Sequence, residues 1–268
     1  MEFVDAFSHC GLSKYKPFPD LQNAMKLAGV TRAVLVQHYG EYDNDYIGGI
    51  ASADPNRFTG VCLVDYRKED ALADVKRLAG TGQFGGVRLH MDSLEANEEL
   101  WQEACRCSLN IVTDDTDGVV RRLALLKAFL ERNPTSVVIL AHMGYPKVDE
   151  APAFTKYRSI FELKQYPNVY FQVSGMRMFC SYPYRPLWPI VDQALESFGP
   201  DRMLWGGNYP VVDEEKGYVQ EAEFVRKGGL PIPADVLSTV TCGTALRVWF
   251  GGAIRCDPRS ARPITDLS

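Results

Sequence analysis

Four histidines are the residues of this chain best suited to proton transfer, and each comes just after a predicted β-strand. His9, His38, His90 and His142 are the only histidines in the sequence. Imidazole exchanges protons near neutral pH. A group of imidazoles at one end of a sheet therefore predicts general acid and base chemistry, because proton transfer needs such groups close to the reacting atoms.

Other polar residues follow the same strands or their neighbours. Arg88 and His90 have the same parity along their strand, so we expect both to face inward. Guanidinium groups are suited to hold a carboxylate or an enolate, and amide or phenol groups can donate hydrogen bonds to a developing oxyanion. These candidates, with Asp114 as a base or as a group that orients a histidine, are Arg88, Asp114, Tyr145, Ser174, Arg177, Asn208 and Tyr209.

Aromatic residues are also frequent in the loops that follow the strands. They predict a pocket for a flat, conjugated or cyclic compound that is rich in oxygen. They are Phe7, Tyr39, Tyr145, Phe179, Tyr182 and Tyr184.

Eight apolar runs of strand type alternate with helical patterns along the chain. Strict alternation predicts a parallel sheet with right-handed crossovers. The predicted strands are 3–7, 32–37, 58–64, 86–89, 110–113, 137–141, 169–173 and 203–205. The predicted helices are 21–28, capped by Asp20, then 44–53, 70–78, 96–107, 119–131, 157–164, 187–198, 214–227 and 234–250.

Eight such units favour a closed (β/α)8 TIM barrel over an open sheet. About 250 residues are typical of one barrel, and no linker interrupts the series. We therefore predict a single domain over residues 1–250 and a polar tail or arm over residues 251–268. In a closed barrel all four histidines lie on the rim that carries the active site.

Composition excludes several classes of function. The net charge of −5 gives nucleic acid no general attraction. The first five residues form a strand pattern rather than a signal peptide, and no apolar run approaches the roughly 18 residues of a membrane span. Seven cysteines without a disulfide spacing are typical of reduced thiols. We expect a cytoplasmic protein that binds a small molecule and neither nucleic acid nor membrane, with a homo-oligomer possible.

Several segments carry recognisable motifs in order along the chain. They are VDAFSH at 4–9, GGVRL at 85–89, LAHMG at 140–144, VSGMR at 173–177, LWGGNYP at 204–210 and TALR at 244–247. Together they resemble the amidohydrolase superfamily, and most closely its branch of pyrone-dicarboxylate and sugar lactonases. The resemblance runs from about Val4 to Phe250 and implies a barrel enzyme with its site at the strand ends.

Two positions depart from the pattern of the family. Phe7 stands where the strand-1 motif D-x-H-x-H has its first histidine, and Asn208 stands where the strand-8 motif has its aspartate. In metal-dependent relatives these residues bind a divalent ion, and the aspartate takes a proton from the attacking water. A catalytic zinc needs about three protein ligands, and of the family's set only His9 and His142 remain.

We therefore predict a metal-independent enzyme without a cofactor, acting on a small aromatic, pyrone or lactone-like compound. The reaction is lactone hydrolysis or a non-hydrolytic step such as decarboxylation, dehydration, isomerisation or cyclisation. The alternatives are a metal-dependent hydrolase with a substituted site and a catalytically inactive binding barrel. The predicted catalytic residues are His9, His142, His90, Asp114 and Asn208, and the predicted substrate-binding residues are His38, Arg88, Arg177, Tyr145, Tyr209, Phe7 and Ser174.

Overall fold

The chain forms a barrel of eight parallel strands. The structure, a computed structural model, describes residues 2–211 and 214–251, without the side chains of residues 214 and 215. The strands pair in sequence order from first to last. They are β1 (Val4–Ser8), β2 (Arg32–Val36), β3 (Phe58–Leu63), β4 (Phe84–Arg88), β5 (Asn110–Thr113), β6 (Val138–Leu140), β7 (Val169–Ser174) and β8 (Met203–Gly206).

The first and last strands meet along a seam. Phe7 O accepts a hydrogen bond of 2.7 Å from Asn208 N, and Tyr209 O accepts one of 2.7 Å from His9 N. The buried carboxylate of Asp5 supports the same seam, because it accepts from Gly207 N at 2.8 Å and from the Tyr218 hydroxyl at 2.8 Å. The predicted (β/α)8 fold is therefore confirmed.

Helices surround the strands. They are α1 (Phe18–Ala28), α2 (Asp45–Ala53), α3 (Ala71–Gly80), α4 (Met91–Ala96), α5 (Glu98–Arg106), α6 (Leu123–Arg132), α7 (Trp188–Phe198), α8 (Glu214–Arg226), α9 (Ala234–Ser238) and α10 (Thr244–Trp249). The segment Tyr157–Gln165, predicted as an ordinary helix, is a 3₁₀ helix. Among the described residues no helix is both long and apolar enough to cross a membrane.

Some helix boundaries differ from the prediction for local reasons. Helix α1 begins at Phe18 after Pro17, so Asp20 lies in its first turn and the predicted Asp20 cap is wrong. The single helix predicted over 96–107 is two helices that meet at Asn97, whose side chain accepts a hydrogen bond from Leu100 N. A π-helical turn, Thr239–Gly243, separates α9 from α10. The predicted tail lies, from residue 252 onwards, outside the described residues.

The barrel is closed at the end where its strands begin. Helix α10 covers this end, because Val248 O accepts a hydrogen bond from Asn110 at the start of β5. The side chains of Trp249 and Leu246 are buried with the inward-facing residues of the strands, such as Val34 and Val36. The opposite end, where the strands finish, is therefore the one open to a ligand.

Candidate active site

A cavity of about 150 Å³ opens at the carboxyl ends of the strands. Three of the four histidines line it. Most of its lining residues carry a polar group, and two of them, Lys14 and Arg88, are cationic. The lining residues are His9, Lys14, Tyr15, His38, Tyr39, Arg88, His142, Tyr145, Met178, Asn208 and Val211.

The hydrogen bond of His9 fixes its tautomer. Its Nδ1 lies 2.6 Å from Val36 O, and a carbonyl can only accept, so Nδ1 carries the proton. Burial, followed by the charge of Arg88, holds the pKa of His9 well below 6.5. His9 is therefore neutral at pH 7, with a free lone pair on Nε2. Such an imidazole is a base.

The hydrogen bonds of His142 favour the other tautomer. Ser174 Oγ accepts from His142 N at 3.1 Å and lies 3.0 Å from its Nδ1. The hydroxyl can then donate to Nδ1, a shorter contact than the 3.5 Å to Gln172 Oε1. This arrangement puts the ring proton on Nε2. Burial above all lowers the pKa of His142 to about 4, so the ring is a neutral hydrogen-bond donor.

Three cavity residues adopt a left-handed backbone conformation. His142 has φ 52°, Tyr145 has φ 60° and Asn208 has φ 54°. Left-handed conformations are uncommon for residues other than glycine and cost of order 1–3 kcal/mol when the surrounding structure enforces them. The strained residues follow the ends of β6 and β8. The side chains of His142 and Asn208 therefore lie at the same rim of the barrel. Gly175 lies between them, because a Cβ there would come within 2.9 Å of His142 Nδ1 and 3.1 Å of Asn208 Nδ2.

The ring of Phe7 lies between His9 and His142. Its centroid is 5.1 Å from that of His9 and 4.5 Å from that of His142. Phe7 is fully buried, and Arg88 approaches its ring to 5.3 Å. Phe7 thus contributes an apolar surface that separates the two imidazoles.

A buried ion pair borders the cavity. Arg88 Nη2 donates to Asp114 Oδ2 at 2.6 Å, and Asp114 Oδ1 accepts from the Tyr39 hydroxyl at 2.6 Å. Burial alone would raise the pKa of Asp114, but the guanidinium outweighs it and holds that pKa below 3.8. Burial likewise opposes the charge of Arg88, yet Asp114 raises the pKa of the guanidinium above its ordinary value. Both groups are therefore ionised at neutral pH.

The remaining phenol and imidazole groups of the cavity are neutral. Burial raises the pKa of Tyr145 to about 12, so its hydroxyl stays a donor. Burial lowers the pKa of His38, and its buried Nε2 has no hydrogen-bond partner within the described residues. Tyr15 stacks on His9 with ring centroids 4.8 Å apart.

Four lining residues had no signal in the sequence. Lys14 and Tyr15 lie in the loop after β1, while Met178 and Val211 lie in the loops after β7 and β8. Lys14 Nζ lies 5.2 Å from the Tyr15 ring. Their position at the cavity depends on the conformation of these loops. Hydrophobic periodicity does not predict that conformation.

Some predicted site residues lie elsewhere. His90 does not point inward beside Arg88 as predicted, since β4 ends at Arg88 and His90 caps α4, accepting from Asp92 N at 3.2 Å. Arg177 binds Gln220 of α8, and buried Tyr209 packs on Tyr218 with ring centroids 5.4 Å apart. These three side chains do not line the cavity.

The residues of the cavity do not fit the divalent ion of the metal-dependent relatives. Phe7 fills the space beside the two imidazoles and offers no lone pair. Asn208 offers an amide, whose nitrogen contacts Met178 Sδ at 3.0 Å. Within residues 2–211 and 216–251, no three His, Cys, Asp or Glu side chains come together as a metal-binding group.

Comparison with known proteins identifies the family. The family model described as "Amidohydrolase" matches residues 15–251. The chain belongs to the amidohydrolase family. A relative, L-fucono-1,5-lactonase of Burkholderia ambifaria, is 27% identical over 201 residues, covering 72% of this chain and 69% of the lactonase.

Solved structures with this amidohydrolase fold superpose over nearly the whole chain. A putative 2-pyrone-4,6-dicarboxylic acid hydrolase from Pseudomonas putida gives a TM-score of 0.76 at 18% identity, covering 93% of this chain and 97% of that one. A 2,6-dihydroxybenzoate decarboxylase gives a TM-score of 0.70 at 14% identity, covering 93% and 99%. At these identities the likeness concerns the fold.

Proposed function

We propose that this amidohydrolase opens a small lactone by hydrolysis without a metal, with His9 as the general base. The observation that carries the proposal is the 2.6 Å hydrogen bond from His9 Nδ1 to Val36 O. It leaves a neutral imidazole with a bare Nε2 in a polar cavity. This base can take the role that an aspartate has in metal-dependent relatives, where Asn208 now stands.

Other residues of the lining can donate hydrogen bonds to the carbonyl oxygen. Arg88, the Nε2–H of His142 and the Tyr145 hydroxyl all belong to that lining. Preorganised donors of this kind stabilise the negative charge that develops on the oxygen during acyl transfer. Arg88 contributes a permanent charge, because Asp114 holds it ionised.

The proposed reaction uses these groups in sequence. Water attacks the carbonyl carbon while its proton passes to His9 Nε2. The ring C–O bond then breaks, and the ring oxygen takes that proton from His9. The second proton of the water is released when the new carboxylic acid ionises. Lys14 and Arg88 favour the resulting carboxylate electrostatically.

The volume of the cavity and the similarity to a lactonase limit the class of substrate to be tested. About 150 Å³ is below the roughly 300–1,000 Å³ of pockets for drug-sized ligands, which suits a single small ring. The 27% identity to L-fucono-1,5-lactonase supports a sugar-type lactone as the first class to test.

A panel of 1,5-lactones, 1,4-lactones and carboxylated pyrones tests the proposal. Acid release is followed with a pH indicator, using protein dialysed against a chelator. We expect turnover of at least one lactone and a loss of about 10²–10⁴ in kcat for His9→Ala. Activity that vanishes on dialysis and returns with zinc contradicts the metal-free reaction, and a fully active, folded His9→Ala protein contradicts the base.

A non-hydrolytic step is the second candidate, and Asn208 is the observation that favours it. An amide cannot take a proton from water, so the residue that serves hydrolysis in metal-dependent relatives is missing. Reaction in H₂¹⁸O separates the two candidates. Hydrolysis adds one water and places one ¹⁸O in the product carboxylate. Decarboxylation loses CO₂, dehydration loses water and isomerisation leaves the mass of the substrate unchanged, and none of these products carries that label.

A further inference from the structure

A second, larger cleft lies beside the cavity of His9. Its volume is about 450 Å³, which falls within the range of roughly 300–1,000 Å³ typical of ligand sites. It opens at the ends of β2, β3 and β4, and it is the place where the structure puts His90. The lining residues are Tyr39, Gly40, Tyr42, Leu63, Val64, Tyr66, Arg67, Arg88, Leu89, His90, Asp92 and Thr116.

Tyr39 and Arg88 form the wall between the two cavities, since both line each of them. The guanidinium carbon of Arg88 lies 4.1 Å from the centroid of the Tyr39 ring. Arg88 is 5% exposed. Two of its nitrogens bind Asp114 and Gln37 O, while its buried Nε has no hydrogen-bond partner within the described residues.

The other cationic group of the cleft is Arg67. Its Nη2 donates to the Tyr42 hydroxyl at 3.2 Å, and its guanidinium carbon lies 5.7 Å from the Tyr66 ring centroid. Its Nε binds Asp65 at 2.9 Å, a residue outside the lining. Two guanidinium groups and two tyrosine rings are thus held in cation–π contact around one space.

Acidic charge within the cleft is already neutralised. Asp92 is the one carboxylate among the lining residues. Its Oδ1 is paired with Arg122 Nη2 at 2.5 Å. The His90 ring packs edge-on against Tyr39 with centroids 5.7 Å apart. Two guanidinium groups and one carboxylate thus belong to the lining, and Arg67 and Arg88 are themselves paired with Asp65 and Asp114 behind it.

We propose that this cleft is a second ligand site, specific for an aromatic carboxylate. The rings of Tyr39, Tyr42 and Tyr66 offer flat surfaces to an aromatic ring, and Leu63 and Leu89 supply apolar contact. Arg67 and Arg88 offer guanidinium nitrogens to the carboxylate. The site does not depend on lactone hydrolysis, although its ligand touches the same Arg88 that faces the cavity of His9.

Calorimetric titration with benzoate tests the site directly. We expect saturable binding, and about a tenfold weaker affinity in Arg67→Met, because a charge-assisted hydrogen bond is lost while the apolar stem remains. Arg77→Met is the matched control, since Arg77 is equally exposed and paired with Asp74 at 2.8 Å. It should leave the affinity for benzoate unchanged within about twofold.

Two further comparisons define the ligand and its place. Benzamide, which lacks the charge, and cyclohexanecarboxylate, which lacks the flat ring, should both bind more weakly than benzoate. Tyr15→Ala alters the cavity of His9 alone and should leave benzoate binding unchanged. No saturable binding, an unchanged affinity in Arg67→Met, or a loss confined to Tyr15→Ala would each overturn the proposal.

Discussion

The ring of Phe7 packs edge-on against the imidazole of His142, with centroids 4.5 Å apart. The same ring lies 5.1 Å from His9. An apolar group thus occupies the space that a metal ion would need between two of its ligands. Phenylalanine at this position offers no lone pair and takes up space beside both imidazoles.

The double variant Phe7→His with Asn208→Asp should therefore bind zinc. It adds an imidazole and a carboxylate to His9 and His142, which reaches the ligand number of catalytic zinc sites. Metal analysis after dialysis against zinc should find about one equivalent in the double variant and far less in the wild type. A tightly bound equivalent in wild-type protein purified without chelator would show that the site accommodates a metal despite Phe7.

The pH dependence of the reaction should follow the lowered pKa values of the buried histidines. The proposed mechanism needs neutral His9 and His142, and burial lowers the pKa of His142 to about 4. The rate should therefore hold from pH 7 to about pH 5 and fall towards pH 4. A half-maximal rate near pH 6.5 would instead indicate an ordinary, solvated histidine as the base.

The stability of the fold has to be measured over the same pH range as the rate. An unfolded histidine takes up a proton near pH 6.5, whereas folded His142 does so only near pH 4. The contribution of this neutral histidine to stability is thus present above pH 6.5 and is lost as the pH falls towards 4. Circular dichroism at each pH separates this loss of fold from a change in rate.

The Arg88–Asp114 pair should be essential to the fold around the cavity. Asp114→Asn leaves a buried guanidinium without its counter-charge, which costs about 3–5 kcal/mol. Asp74→Asn breaks the exposed pair with Arg77 and should cost less than about 1 kcal/mol. Urea unfolding compares the two variants, and equal losses would contradict the assigned importance of the buried pair.

Removing both charges of the buried pair provides a second measurement. Arg88→Met with Asp114→Leu leaves no unpaired charge, so its loss of stability should be smaller than that of Asp114→Asn. The double variant can be measured even if the single variant Asp114→Asn is too unstable to purify.

Glu221 should limit stability at alkaline pH. It is 2% exposed, its Oε1 has no hydrogen-bond partner among the described residues, and burial raises its pKa to about 8. The protonated form is favoured in the folded chain, so stability falls as the pH rises from about 4.5 through 8. Glu221→Gln removes this dependence and should be the more stable protein at pH 9, by up to about 5 kcal/mol.

Melting temperatures at pH 5 and pH 9 check this effect. The difference between the two proteins should be small at pH 5, because folded Glu221 is still protonated there and the unfolded residue has only just passed its pKa of 4.5. Glu223→Gln on the exposed face of α8, where Glu223 pairs with Lys227 at 3.2 Å, is the matched control. Equal pH dependence in all three proteins would show that Glu221 does not titrate as described.

The barrel could be predicted from the sequence because its signals are periodic. Val34 and Val36 of β2 face the interior in alternation, and Gly29 ends α1 in a left-handed conformation with φ 67°. Such patterns extend over only a few residues, so they can be recognised in the sequence. The gathering of His9, His38 and His142 followed from the parallel order of the strands.

Other features of the site depend on contacts between distant segments. His90 follows its strand as closely as His38 does, yet α4 begins at the next residue and carries it into the neighbouring cleft. Lys14 and Tyr15 reach the cavity through an irregular loop. The tautomer of His9 depends on a carbonyl 27 positions away in the sequence. None of these relationships leaves a local pattern of residue types.

The seam between β1 and β8 also determines when the cavity of His9 comes into existence. Asp5 and Gly207, which are joined across it, are 202 positions apart, and Phe7, His9 and Asn208 belong to the same junction. Contacts of such long range form late, because the entropy of closing the loop must be overcome first. A chain emerging from the ribosome therefore cannot complete its reaction cavity until the eighth strand has been made and docks against the first.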